Sequence, residues 1–423
     1  MPLRITPAAR AVLLLAACTA GPVAAASLSF SEALALAVSA TPALRMTAAQ
    51  IDAARQAAIP AGALPDPKLS LGVDNLPTNG PDRYRLTEDF MTMRRVGVMQ
   101  EFPNRAKRRA RVERADGEVA VAEAESQITR QLVLRETAVA WIARASVEQQ
   151  LAYIDALLEE NRLFEAAVRA QIAGGKSPAT DAVAPRQEAA LIDGRADELV
   201  ARRDQAMAAL RRWVGASADA PLSGTAPDWP IADDVLKHAL HRHPELMIFD
   251  SKLQVLDAEV AAAVATRKPD WALELAYQER GSQFSDMAMV QVTFDLPLFA
   301  ASRQNPRIAA RRAARVALDA EREAALREHT AMLETDLAEY RRLARAVTRQ
   351  RTVLVPLARE KVQLASAAWR GANGGLMEVI AARRERIDAE LEAIALDGAR
   401  QQLAARLHYA YAAPSAELVG EQP

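Results

Sequence analysis

The chain has 423 residues, and its 53 Lys and Arg against 54 Asp and Glu disfavour a nucleic-acid-binding protein, which normally carries a basic excess. Half of the residues are hydrophobic but only 4% are aromatic, and this Ala- and Leu-rich composition favours long helices over a large β-sandwich. The single cysteine, Cys18, excludes a disulfide framework and any multi-cysteine zinc or iron–sulfur site.

Residues 1–26 are predicted to be an export signal, because two arginines without a nearby acid precede the short apolar run 11–17. Two cleavage sites remain open. The residues before Cys18 form a lipobox, so cleavage between 17 and 18 would leave Cys18 for lipidation. Alternatively, three alanines ending at Ala26 form a signal-peptidase site. After Ser27 no run of 18 apolar residues occurs, so no transmembrane helix is predicted.

The remaining chain reads as two similar halves, residues 27–213 and 232–413, joined by a linker at 214–231 and followed by a tail at 414–423. Four landmarks recur in the same order with nearly constant spacing, which indicates an internal repeat. The matched pairs are Pro42 with Pro244, Pro67 with Pro269, the segments ending at Pro103 and Pro297, and the Gly-rich turns starting at Gly175 and Ala372.

Each half is predicted to contain a first helix, two strands and a long helical hairpin, in that order. In the first half these elements are a helix at about 30–58, strands at about 67–75 and 94–102, and helices at about 104–172 and 179–213. In the second half they are a helix at about 232–266, strands at about 270–279 and 287–296, and helices at about 306–370 and 376–412, with a kink at Pro356.

The four strands alternate between apolar and polar residues, which is typical of a sheet with one face of each kind. In 271–278, for example, Trp271, Leu273, Leu275 and Tyr277 share one face. One interpretation is a small soluble sheet whose apolar face packs on helices. The other is part of a membrane β-barrel, favoured by the export signal and the strand length. Four strands cannot close a barrel, so the second interpretation requires several chains.

The long helices carry a coiled-coil seam from Leu333 to Leu354, interrupted at Arg351. The charged clusters 202–204 and 383–386 are predicted to be solvated surface. The close histidine pair His241 and His243, just before Pro244, has two interpretations: the favoured one is a surface helix end, and the other is metal ligation. No enzymatic site or cofactor site stands out from the sequence.

This order of elements, repeated twice after an export signal, resembles the TolC-type outer-membrane efflux channel family over residues 28–413. The resemblance is carried by Ser31 to Ala37 with Pro42, Gln100 to Pro103, Asp295 to Phe299 and the two Gly-rich turns. It implies a mainly α fold with a small β part, in which three chains form an α-barrel tunnel and share a 12-stranded transmembrane β-barrel. It also implies an outer-membrane location extending into the periplasm, with a periplasmic adaptor and an inner-membrane pump as partners.

In that family the Gly-rich turns are the periplasmic tips, which dock the adaptor and form the closed gate. The resemblance therefore implies a docking or gating role for seven residues: Gly174, Gly175, Ser177, Asp181, Gly374, Gly375 and Glu378.

The segments after Gln100 and after Leu296 are similar to those of the heavy-metal efflux branch, which works with resistance-nodulation-division pumps. Methionine pairs occupy matching places in the two strand hairpins, and thioether sulfur suits Cu(I). One hypothesis is that Met91, Met93, Met287 and Met289 make transient metal contacts, and the other interpretation is that they only pack near the rim of the barrel. The alternatives are the same channel serving drug efflux or type I protein secretion, or a soluble periplasmic coiled-coil adaptor or scaffold.

Overall fold

The structure, a computed structural model, describes residues 27–411. The predicted export signal, Cys18 and the predicted tail at 414–423 lie outside the described residues. Most of the described chain is helical, and the sheet part is small. The predicted fold class, a duplicated order of helix, β-hairpin and long helical hairpin, is confirmed.

The first half contains two short helices, one strand hairpin and one long helical hairpin. Its elements are β1 (Leu28–Ser29), α1 (Phe30–Ala40), α2 (Pro42–Ala58), β2 (Lys68–Asp74), β3 (Met93–Phe102), α3 (Arg105–Ala173) and α4 (Ala184–Val214). At 1.5 Å per residue, the 69 residues of α3 extend for roughly 100 Å.

The second half repeats this order. Its elements are β4 (Leu222–Ser223), α5 (Asp233–Ala239), α6 (Pro244–Ala265), β5 (Trp271–Glu279), β6 (Met287–Phe294), α7 (Gln304–Arg349), α8 (Val355–Arg370) and α9 (Leu376–Tyr411).

The single helix expected at 30–58 is two helices that meet at Thr41. A capping box between Ser29 and Glu32 starts α1, because each backbone amide binds the other residue's side chain. Pro42 restricts Thr41 to an extended conformation, so α1 ends there and α2 begins at the proline.

Just before Pro356, where the sequence predicts a kink, the structure has a π-helical turn at Gln350–Leu354. Proline cannot donate a backbone hydrogen bond, and one extra residue per turn is a common way to accommodate that loss. The interruption of the seam at Arg351 falls inside this turn. On its N-terminal side the seam is buried, since Leu333 and Leu337 pack against Leu403 and Leu407 of α9.

The segment 214–231 is more than a linker, because it contributes to the main core. Its strand β4 pairs in parallel with β1, and Trp229 packs beside Phe30 and Trp141. Arg144 of α3 donates hydrogen bonds to the carbonyls of Ala218 and Ala220 at 2.6 and 2.9 Å. Composition alone predicted a linker, and these long-range contacts attach it to the core of the first half.

The sheet meets the helices at a polar junction centred on Asp270. This carboxylate accepts hydrogen bonds from the Asn104 amide at 2.7 Å and from Lys107 Nζ at 2.7 Å. Asn104 in turn caps α3 by accepting from the Lys107 amide. The junction therefore ties the start of β5 to the start of α3.

Candidate membrane-facing sheet and helical tips

The strands β2, β3, β5 and β6 form one antiparallel sheet in the order β2-β3-β5-β6. Its register places apolar residues side by side on one face. In the central row Leu69 lies opposite Val98, Val98 opposite Leu275, and Leu275 opposite Val290. The apolar alternation seen in each strand is thus continuous across the whole sheet.

This apolar face is exposed, and none of the helices that the structure describes covers it. Ten of its side chains are between 44% and 71% exposed: Leu69, Leu71, Val73, Val96, Val98, Leu275, Tyr277, Val290, Val292 and Phe294. A sheet of a soluble domain would bury this face. The interpretation as a soluble sheet packed on its own helices is therefore wrong.

The opposite face is polar and more enclosed. Glu274 accepts a hydrogen bond from Ser70 at 3.3 Å and lies 3.7 Å from Arg95. At the centre of this face Ala276 is only 6% exposed, and a Cβ added to Gly97 would lie 3.0 Å from the Ala276 Cβ. The side chains of the polar face are therefore crowded together, whereas those of the apolar face are exposed.

Both edges of this sheet are open within the described chain, because β2 and β6 each pair on one side only. An edge strand presents unpaired amide and carbonyl groups and can pair with another chain. No helix among residues 27–411 is both long and apolar enough to cross a membrane.

The structure places the four methionines at the same end of the sheet but not in one cluster. Met93 is the first residue of β3 and Met287 the first of β6, and β5 lies between these strands. By register, the polar face includes Met93, Met287 and Met289. Met91 lies in the loop before β3. Two strand spacings, about 10 Å, separate β3 from β6.

The two Gly-rich turns close the long helical hairpins with the same hydrogen bonds. At the first turn the amides of Gly175 and Lys176 donate to the carbonyls of Ile172 and Gln171. At the second turn the amides of Ala372 and Asn373 donate to those of Trp369 and Ala368. Both are Schellman motifs, which require a left-handed residue after the helix.

The left-handed residue is Gly175 at the first turn, with φ +69°, and Ala372 at the second, with φ +60°. Glycine adopts this conformation without strain, whereas alanine pays roughly 1–2 kcal/mol. The second turn is therefore strained where the first is relaxed.

The structure brings both tips to one end of the molecule. Val168 near the end of α3 packs against Leu376 and Ile380 of α9, and Trp369 of α8 joins the same cluster. Among the seven expected tip residues, Gly174, Gly175, Gly375 and Glu378 are exposed, while Ser177, Asp181 and Gly374 are partly exposed.

Behind the tips lies a buried ion cluster that the sequence prediction missed. Arg383 of α9, 4% exposed, donates to Glu188 of α4 at 3.0 Å and to Glu160 of α3 at 2.8 Å. Arg386 also binds Glu160, and the Arg383 guanidinium lies over the Phe164 ring. The prediction that 383–386 is solvated surface is therefore wrong for Arg383, whereas the cluster 202–204 is mostly exposed.

Burial in this region changes the ionisation of neighbouring groups. It raises the pKa of Tyr153 to about 12, although Arg386 acts in the opposite direction. Burial alone would lower the pKa of Arg386, but the hydrogen bond and charge of Glu160 outweigh it, so that pKa is raised. Arg386 therefore remains charged and holds α9 to α3.

A sequence signal for this cluster did exist. Arg383 follows Ile380 by three residues and precedes Ile387 by four, so it lies within the apolar stripe of α9. A charged residue at such a position is buried against another helix and needs a partner there.

No protein-family model and no curated protein matches this chain. Solved structures do match over most of its length. A membrane protein from Pseudomonas aeruginosa is 18% identical with a TM-score of 0.77, and 90% of each chain is covered. CusC, whose structures describe transmembrane channel formation, is 17% identical with a TM-score of 0.75, covering 90% of this chain and 91% of CusC.

The outer-membrane protein VceC from Vibrio cholerae is 19% identical with a TM-score of 0.74, covering 90% of this chain and 95% of VceC. Coverage of nine-tenths or more of each chain at these TM-scores identifies the architecture. This chain has the fold of the TolC-type outer-membrane channels.

Proposed function

We propose that this protein is the outer-membrane channel of a tripartite efflux system and acts as a passive conduit rather than an enzyme. The observation that carries the proposal is the sheet of β2, β3, β5 and β6: its apolar face is exposed, its polar face is more enclosed, and within residues 27–411 each edge strand pairs on one side only. Lipid stabilises an exposed apolar face, but it does not tolerate unpaired edges. The sheet is therefore complete only when neighbouring copies pair with β2 and β6.

Three copies satisfy these requirements. Two copies would give eight strands, and the interior of an eight-stranded barrel is filled by side chains. Three copies give 12 strands and room for a lumen lined by the polar face. Below the sheet, the long helices of three chains would form a tunnel of roughly 100 Å through the periplasm.

The exposed tips fit docking to a periplasmic adaptor, which would connect the channel to an inner-membrane pump. The first tip contains Gly174, Gly175 and Ser177. The second tip contains Gly374, Gly375 and Glu378. Asp181 follows the first tip, in the 3-10 turn at Ala179–Val183. Both tips lie at the same end, so an adaptor can contact them together.

Bilayer conductance tests the channel directly. Purified protein reconstituted into planar bilayers should give discrete conductance steps and should require detergent for extraction. A protein that stays soluble without detergent and gives no conductance would contradict the proposal and favour the adaptor or scaffold alternative.

Within this function we propose heavy-metal cations as the cargo, with copper or silver favoured and zinc, cobalt or cadmium also in the class. Three methionines on the inward face, Met93, Met287 and Met289, support this proposal because thioether sulfur is a soft ligand. Drug efflux and type I secretion remain the alternatives for the same channel.

A four-residue exchange tests the cargo. Replacing Met91, Met93, Met287 and Met289 by Leu should lower copper tolerance in cells that carry the cognate pump. The control replaces two exposed methionines outside the sheet, the tips and the helical cleft by Leu, namely Met46 and Met247. Equal tolerance in both variants would remove the metal-contact proposal and leave the channel intact.

A further inference from the structure

A cluster of metal-ligating side chains lies far along the chain from the sheet methionines, where α6 packs against α7. His243 immediately precedes α6, Glu245 lies in its first turn, and His329 projects from the middle of α7. One ligand atom from each of the three residues lies within 4.8 Å of the other two. His329 Nε2 is 3.2 Å from Glu245 Oε2, and the two imidazole rings are 4.4 Å apart.

We infer that His243, Glu245 and His329 bind one divalent transition-metal ion of the class that prefers imidazole and carboxylate ligands, such as Zn²⁺, Co²⁺ or Ni²⁺. Two histidines and one glutamate with an open fourth position form an established ligand set for such ions. With metal–ligand distances near 2.0–2.1 Å, tetrahedral ligand atoms lie roughly 3.3 Å apart. The glutamate–histidine pair already has this spacing, and the ligand atom of His243 lies within 4.8 Å of both, so it has to approach by at most about 1.5 Å.

The burial of the three residues suits a bound ion with access from solvent. His243 is 3% exposed and His329 is 8% exposed, whereas the Glu245 side chain is 45% exposed. Burial, the neighbouring His329 and the charge of Arg135 lower the pKa of His243 to about 4. His243 is therefore neutral at ordinary pH, which is the form that ligates metals.

Metal binding has one structural cost. His243 Nδ1 accepts a hydrogen bond from the Glu245 amide at 3.3 Å and thereby caps α6. Whichever ring nitrogen binds the ion, Nδ1 no longer accepts this bond, since it either ligates the metal or carries the remaining proton. The bond is long and partly exposed, so a coordinate bond can replace it.

The walls of the surrounding cleft favour a cation. Carboxylates outnumber guanidinium groups there: Glu136, Glu245, Glu328 and Asp336 face the cleft with Arg135 and Arg406. Tyr411 of α9 closes one side, with its ring 5.3 Å from that of His243. A bound ion would join α6 to α7 beside the end of α9. Binding of an ion here does not depend on which cargo the channel exports, because the ion stays at the site and is not transported.

Zinc titration by calorimetry on the full-length trimer in detergent, with every affinity tag removed, tests the site. Zinc is a suitable probe because thioether ligands favour softer ions, so the sheet methionines interfere little. We expect one ion per chain. We also expect His329→Asn and Glu245→Gln each to weaken binding by tenfold or more, since even indirect ligand support is worth about 10–100-fold.

The control is His241→Gln, which replaces an exposed histidine outside the cluster and should leave the affinity unchanged. Co²⁺ titration should in parallel produce the intense visible bands of a four- or five-coordinate ion in the wild type and in the control only. Should His329→Asn fail to fold, Glu245→Gln carries the test, because that side chain is largely exposed. Absence of stoichiometric binding, or equal affinity in the wild type and Glu245→Gln, would overturn the inference.

Discussion

A single lysine placed on either face of β6 should distinguish a lipid-facing sheet from a solvated one. Val290 belongs to the central row of the apolar face and is 68% exposed, whereas the next residue, Gln291, belongs to the polar face opposite Glu274. If water covered both faces, each substitution to lysine would change stability by no more than about 0.5 kcal/mol. Exposure alone would then predict that neither substitution changes the stability measurably.

The proposed channel predicts a large difference between these variants. Lysine at the lipid-facing midplane of a barrel costs about 2–4 kcal/mol, and the cost recurs in each chain, so a trimer with Val290→Lys loses roughly 6–12 kcal/mol. In Gln291→Lys the ammonium faces the lumen opposite the Glu274 carboxylate, and we expect little change or a small gain.

The assay is urea-dependent folding into lipid vesicles, followed by electrophoresis of unheated and heated samples. Val290→Lys should fold at a markedly lower yield and lose the heat-sensitive trimer, while Gln291→Lys should behave as the wild type. Similar behaviour of the two variants would refute the assignment of the faces.

The remaining predictions concern the tips, the buried ion cluster and the sheet–helix junction. Gly175→Ala should destabilise the protein by about 1 kcal/mol, whereas Ala372→Gly should stabilise it slightly; thermal melting in detergent measures both, and equal signs would contradict the assigned backbone strain. Glu188→Gln should cost roughly 3 kcal/mol in urea unfolding because Arg383 stays buried, and replacing both residues by Met should recover most of it; a silent single variant would argue against burial of the pair. Asp270→Asn should lower the urea midpoint by the equivalent of about 2 kcal/mol, since it weakens charge-assisted hydrogen bonds; an unchanged midpoint would show that the junction contributes little.

Local pattern was enough to predict the repeated order of elements and the two faces of the strands. Alternation in 271–278 assigns Leu275 and Glu274 to opposite faces whatever surrounds them. The Gly-rich turns likewise predict helix reversals, and Gly175 adopts the left-handed conformation that the reversal needs. These features depend on residues that are close together in the sequence, so one amino-acid sequence is sufficient to predict them.

The features that the sequence missed depend on contacts between distant residues. An arginine in a run of charged residues is normally exposed. Arg383 is buried instead, because Glu188, 195 positions away, supplies a partner. His243 is likewise buried because His329 of α7 and Tyr411 of α9 pack against it. The segment 214–231 is tied to the core by the pairing of β4 with β1 and by the bonds from Arg144, which join residues distant in sequence.

Electron microscopy of the detergent-extracted protein tests the central claim most directly, because it shows whether neighbouring chains complete the sheet. The account predicts a particle with threefold symmetry, a helical tunnel roughly 100 Å long and a closed barrel of 12 strands at one end. A monomeric particle, or an oligomer in which β2 and β6 of adjacent chains do not pair, would contradict it.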